Sequence, residues 1–344
     1  MANQQTQLLD DIIVTSRRKM LTFGVSSLAG LVVGATAPQA KAATASYSDA
    51  DILNFALNLE YLEANFYYMA TFGTTIDKAN TASTAAGAPL IALSGTVGTA
   101  GTVTGGSMVP FTTTQVASYA IETAVEEGNH VQLLLTALGS SAVAQPAINI
   151  GTAFQTLATA AKIPSGSSFS PYASDDTFLV GAYVFEDVGV TAYHGAASLL
   201  TTPANLVTAA GILAVEAYHA GLIRTTINYL DPTGATIGGY TNLISTLRAT
   251  LSQAGLLGVA AGSYDANPDD FGLATFQASI GGTNATATRI TDADSTNVIA
   301  FARNTTQVLN IVTGGGAVSG TTAVSPAKGV FFPAGLNAGA NGFK

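Results

Sequence analysis

The sequence predicts an all-α protein built on a four-helix bundle with one long crossover. Three observations carry this reading. Four long segments have sustained helical composition and are separated by Gly-, Thr- and Pro-rich stretches. The second and third are joined by a long connection, residues 140–175, which is the layout of a bundle with a crossover. Every Glu and every His falls inside those four segments.

The first helix is expected from Asp49 to Met69, with Ser48 or Asp49 as its cap. A loop follows over residues 73–112, rich in Gly, Thr and Ala, with a short hairpin expected around residues 96–104. The second helix runs from about Thr113 to Leu138 and stops at Gly139. The crossover should hold one short helix, about Gly151–Ala161, before Pro164 and Pro171. The third helix covers about Asp176–Leu200, and the fourth about Pro203–Leu230, ending at Asp231-Pro232. Two weaker helices are expected near Tyr240–Leu257 and Ser295–Val312, with a Gly/Pro-rich tail whose apolar plugs include Val330, Phe331 and Phe332.

Ahead of the bundle, Ser16-Arg17-Arg18-Lys19-Met20-Leu21 reads as a twin-arginine export signal. The apolar stretch Leu21–Ala37 and the small-residue site Ala40-Lys41-Ala42 complete it. The expected plan is therefore a signal at 1–42, a bundle at 48–232 and a C-terminal extension at 233–344. The expected location is periplasmic or extracellular.

Composition narrows the function. The 344 residues include no Cys, which excludes disulfides, thiolate metal sites and Cys nucleophiles. With 12 basic against 21 acidic residues the net charge is −9, and no basic footprint for nucleic acid exists. The chain has only 7 Glu and 3 His. Carboxylates kept inside apolar helices are costly unless something pairs with them.

Their spacing says what that something is. Glu127 stands three residues before His130, and Glu216 three before His219. In a helix that spacing puts both side chains on one face. Two such pairs, with one Glu from each of the other two helices, form the ligand set of di-metal carboxylate bundles. Glu60 and Glu186 supply the remaining two. Glu63, on the same face as Glu60, is the alternative there, or a supporting residue beside it. Asp187 is the alternative to Glu186, and Glu126 to Glu127. Tyr67 lies seven residues after Glu60, and Tyr193 seven after Glu186. These tyrosines are the candidate catalytic side chains, although core packing is the plainer role for them and for Tyr218. His194 has no Glu partner at this spacing and reads as peripheral. Four carboxylates balance two divalent cations, and an oxygen-rich set with one imidazole per ion suits Fe or Mn.

The stretches ILNFALNLEYLEANFYYMATFG, EEGNHVQLLLTALG, VFEDVGVTAYHGAA and AVEAYHAGLIR resemble the ferritin-like domain family, in the branch of the desiccation-related proteins. The resemblance covers about residues 48–232. It implies a ferritin-like four-helix bundle in which Glu60, Glu127, His130, Glu186, Glu216 and His219 hold two Fe or two Mn ions. It also implies O2 or hydrogen peroxide as the reactant, with an external electron donor, since the chain has no Cys-bound iron domain of its own. Two functions follow as alternatives. One is an oxidoreductase, a peroxidase, catalase-like enzyme or ferroxidase, acting in oxidative or desiccation stress. The other is a non-catalytic envelope protein with the metal pair as a structural staple. Assembly as a homo-oligomer is open to either.

Overall fold

The computed structural model describes residues 47–93, 97–254, 269–315, 318–319, 322–323 and 328–338. The signal expected at 1–42 lies outside the described residues. Four long helices dominate: α1 (Asp49–Phe72), α3 (Thr114–Leu138), α5 (Asp175–Ala197) and α6 (Pro203–Leu230). Shorter helices are α2 (Thr81–Ala86), α4 (Thr152–Ala160), α7 (Ile237–Ala254) and α8 (Thr305–Val312). The fold is all-α and ferritin-like in its bundle, with α1 packed on α3 and α5 on α6.

Local chemistry explains the helix starts. Ser48 and Asp51 form a reciprocal capping box on α1, and Ser174 and Thr177 form one on α5. Neither α3 nor α6 has a side-chain cap of its own. Each borrows one from the other half of the bundle. Asp175, the first residue of α5, accepts from the backbone N–H groups of Thr112 and Thr113 just before α3. Asp49, the first residue of α1, accepts from those of Thr201 and Thr202 just before α6. The two halves, α1–α3 and α5–α6, thus repeat one plan about an approximate twofold, and each half supplies the carboxylate that the other's helix dipole favours.

The loop before α3 departs from expectation. No local hairpin forms among its described residues. Instead β1 (Val103–Thr104) pairs in parallel with β2 (Ile148–Asn149) of the crossover, and Val97 bridges to Val143. The glycines that suggest a local turn serve close approach: a Cβ on Gly101 would fall on the Ala147 backbone. Buried loop backbone needs hydrogen-bond partners, and the two long connections supply them to each other.

The C-terminal region also differs. Residues 275–288 form a hairpin, β3 (Thr275–Ile280) and β4 (Thr283–Thr288), turning on Gly281-Gly282 with φ of 58° and 82°. That is the Gly-Gly signal of a two-residue hairpin loop, and it stood in the sequence unread. Only residues 305–312 of the expected 295–312 helix are helical. Two short strands, β5 (Val318–Ser319) and β6 (Thr322–Ala323), pair beyond it. Phe331 is buried among Phe154 and Phe185, at ring-centroid distances of 5.3 and 5.1 Å, so the tail plugs the aromatic floor of the bundle.

A second buried polar cluster ties this extension to the bundle. Asp187 of α5 receives Arg224 of α6 at 2.8 Å and Arg248 of α7 at 2.9 Å. Arg248 and Arg303 both reach Asp270, at 2.8 and 3.0 Å. Asp187, Asp270 and Asp292 lie close enough to share an ion. The guanidinium groups bound to Asp187 and Asp270 already supply the positive charge there. Asp187 therefore faces away from the bundle centre, and Glu186 faces into it.

Candidate metal centre

Seven ionisable side chains from the four long helices meet at mid-bundle. Glu60 and Glu63 come from α1, Glu127 and His130 from α3, Glu186 from α5, Glu216 and His219 from α6. All are buried. Ligand atoms of Glu60, Glu127, His130 and Glu216 lie within 4.8 Å of one another, as do those of Glu127, Glu186 and His219. Glu127 belongs to both groups. Its Oε2 lies 3.5 Å from His130 Nδ1, and its Oε1 lies 3.2 Å from His219 Nδ1. His130 Nδ1 also lies 3.4 Å from Glu60 and 3.7 Å from Glu216, and His219 Nδ1 lies 3.2 Å from Glu186. The ring centroids are 6.4 Å apart.

The donor set can be tested for a cation without seeing one. Buried polar atoms are nearly always hydrogen-bonded. Here Glu60 Oε2, both oxygens of Glu127, both oxygens of Glu216, Glu63 Oε2 and His130 Nδ1 have no hydrogen-bond partner. They converge on one region. Oxygen-rich donors with one imidazole on each side suit a hard or borderline divalent ion. The residues therefore fit the metal that the fold suggests.

The supporting contacts are specific. Tyr67 on α1 donates to Glu186 on α5, and Tyr193 on α5 donates to Glu60 on α1. Each tyrosine thus serves the carboxylate of the opposite half. Glu126, whose side chain is 40% exposed, holds His219 Nε2 at 2.7 Å and leaves Nδ1 pointing inward. Fixing one ring nitrogen so that the other faces the metal is how outer carboxylates orient such ligands. A Cβ on Gly189 would collide with the Glu216 carboxylate, so a larger residue at this position on α5 would move that carboxylate from its present place.

Among the residues the sequence left as alternatives, Glu127 rather than Glu126 reaches the centre, and Glu60 and Glu63 both do. His194 stands apart, with Nδ1 3.2 Å from the Phe301 carbonyl. Tyr218 is 77% exposed on the outer side of α6 and is not a core aromatic. Its position follows from helix phase, since it neighbours His219 and is turned about 100° away. The role of Glu126 and the crossed tyrosine contacts could not be read from spacing, because both depend on how the helices meet.

Two apolar cavities abut the centre. One, of about 50 Å³, lies between α1 and α5 and is lined by Leu59, Glu63, Gly189, Ala192, Tyr193 and Glu216 among others. The other, of about 40 Å³, lies over the aromatic floor beside Leu59, Glu63 and Phe185.

Without metal the charges interact strongly. Burial pushes the Glu60 carboxyl up to about 7, against the pull of His130 and with a further push from Glu127. Burial and neighbouring carboxylates hold Glu63 and Glu216 well above the ordinary range. Burial opposes charge on His130, yet Glu127 and Glu60 raise it to about 11. Burial pushes Glu127 upward, but His130 and His219 outweigh it and hold this carboxyl low. A raised folded value means that folding takes up protons. For Glu60 that stabilisation is fully present below its ordinary 4.5 and is lost as pH rises through about 7. His130 adds the same sign, present below 6.5 and lost as pH climbs through about 11. Glu127 has the opposite sign, losing stabilisation only on acidification well below 4.5. The expected result is that the melting temperature of metal-free protein falls between pH 5 and 9. Metal uptake should release protons and tighten with rising pH. Calorimetric titration in two buffers of different ionisation enthalpy measures the proton count; a count of zero would contradict the expectation.

A four-helix bundle enclosing buried carboxylates and imidazoles that can hold metal defines a metal-carboxylate bundle protein. The chain belongs to the ferritin-like domain family, whose family model matches residues 48–229. It is similar to the desiccation-related protein PCC13-62 of Craterostigma plantagineum, 32% identical over 218 residues, which is 61% of this chain. The alignment spans 64% of that relative's length. No solved structure matches the chain.

Proposed function

We propose that the chain is an exported di-metal carboxylate protein, holding two Fe or two Mn ions, that acts on O2 or peroxide in protection against oxidative or desiccation stress. The observation that carries this reading is Glu127. It offers one unpartnered oxygen toward each histidine, which supports a carboxylate serving two ions. On this reading Glu60, His130 and Glu216 would hold one ion and Glu186 and His219 the other, with Glu127 within reach of both. Such a pair supplies two-electron chemistry with O2 or peroxide.

The protein's own residues prepare the site for that. Tyr67 and Tyr193 hold Glu186 and Glu60 in place and carry the protons nearest the carboxylates. The mostly apolar cavity along α1 and α5 suits a small neutral reactant. Glu126 links His219 to the protein exterior, where an external electron donor would meet the site. Export by a twin-arginine signal agrees with a folded, metal-loaded protein, and the desiccation-related relative supports a stress role.

A second reading, the metal pair as a structural staple in an envelope protein, is favoured by the same buried carboxylates, since a cation neutralises them whatever the chemistry. One experiment separates the two. Protein purified without added metal should contain about two Fe or two Mn per chain by elemental analysis, the number a bundle of this ligand set holds. It should consume O2 or peroxide, and His130→Ala should lose one of the two ions and abolish turnover. Metal that raises the melting temperature but supports no turnover with either reactant would leave the staple. Folded protein that takes up no metal would remove both.

A further inference from the structure

We infer that Glu63 is a seventh protein ligand of the metal centre, a fifth carboxylate closing it on the side of the α1/α5 cavity. This rests on the metal reading above and deepens it.

Glu63 lies three residues after Glu60 and so shares its face of α1. One of its oxygens lies within 4.8 Å of oxygens from Glu186 and Glu216, and these three form a further group able to hold an ion. Glu186 and Glu216 are also the carboxylates through which this group joins the other two. Glu63 is 94% buried by its 6% exposure, and its Oε2 has no hydrogen-bond partner. A buried carboxylate kept for structure normally has a cation or several donors. Arg303, which lines the α1/α5 cavity, is already bound to Asp269 and Asp270, and Arg248, which lines the second cavity, to Asp187 and Asp270. An ion shared with Glu186 and Glu216 is the remaining partner that gives the Glu63 oxygen a use.

The position has a consequence for chemistry. Glu63 lines both apolar cavities, whereas the two imidazoles enter from α3 and α6 on the other side. A small molecule in the α1/α5 cavity would meet Glu63 together with Glu60 and Glu216, and Glu63 is the one of these three that also lines the second cavity. Its all-oxygen partners make this the hardest corner of the centre, which favours Mn or Fe over softer ions.

The test compares full-length wild type, Glu63→Gln and the exposed control Glu122→Gln. Each is stripped of metal and titrated with Mn2+, then examined by electron paramagnetic resonance. Glu63→Gln keeps the side-chain shape, and melting of the metal-free variants checks that each one folds. In Glu63→Gln one ion should bind at least about tenfold more weakly, a loss of the size expected when a metal site loses a supporting carboxylate. The Mn2+ spectrum should also change, and Glu122→Gln should match wild type. If wild type binds two ions and Glu63→Gln gives the same isotherm and spectrum, the inference is wrong and the six-ligand centre stands. If wild type binds no Mn2+ or Fe2+, the metal reading itself fails, and this inference with it.

Discussion

Glu127→Gln should cost the protein both metal ions, whereas Glu60→Gln should cost it one. Glu127 is fully buried and presents a different oxygen to each histidine, so its loss opens both halves of the centre together. Glu60 approaches only the half that contains His130. Supporting residues that merely orient a ligand change metal affinity by roughly 10–100-fold. Removing a shared ligand should exceed that for both ions. Stability should follow by linkage: an ion at 100 times its dissociation constant stabilises the fold by about 2.7 kcal/mol, and Glu127→Gln should lose that increment. Elemental analysis beside thermal melting, with and without added Mn2+, reads both effects. Retention of one ion per chain in Glu127→Gln would show that the carboxylate serves a single ion.

Arg248→Met should be the most destabilising single change away from the centre. Arg248 is buried and serves Asp187 of α5 and Asp270 of the C-terminal extension at once. Its removal leaves one buried carboxylate reliant on Arg224 and the other on Arg303. Deleting one partner of a buried ion pair costs about 3–5 kcal/mol when the other charge is left alone, and because each carboxylate here keeps one guanidinium the loss should lie toward or below the lower end of that range. Arg248→Met/Asp270→Leu should recover only part of that loss, because Arg303 then keeps Asp269 but loses Asp270. Urea unfolding measures both, and a loss below about 1 kcal/mol, the scale of an exposed ion pair, would show that the cluster is not stabilising. Asp187 faces away from the metal centre although Glu186 beside it faces in, so metal content of the folded variant should stay at the wild-type level.

The contrast between Glu186 and Asp187 shows how far local reasoning reaches. Adjacent helical residues are turned by about 100°, so one of them must leave the centre, and the sequence favours Glu186 for it. The same rule explains why His130 and His219 each carry a companion Glu at minus three. It also places Tyr218 outside, although aromatic character alone suggested the core. Glu63 shares its helix face with Glu60, but face alone does not say how deep along the bundle axis a side chain meets its neighbours. Arg224, Arg248 and Arg303 carried no readable signal, because their carboxylate partners are 22 to 61 residues away in sequence, as with Asp270 and Asp187 for Arg248.

What the amino-acid order determined by itself is whatever lies within two turns of one helix. That includes the four long helices, the cap at Ser48, and the two Glu-x-x-His pairs. Backbone hydrogen bonds and 3.6-residue periodicity set these regardless of surroundings. Tertiary structure alone decided which helix each side chain serves. Tyr67 supports Glu186 rather than a partner on its own helix, Tyr193 supports Glu60, Glu126 steadies His219, and Asp49 and Asp175 cap helices of the opposite half. The physical reason is that α1 and α6 are apolar around much of their circumference. Their composition does not single out one rotation or axial register, and packing against three neighbours at once selects it.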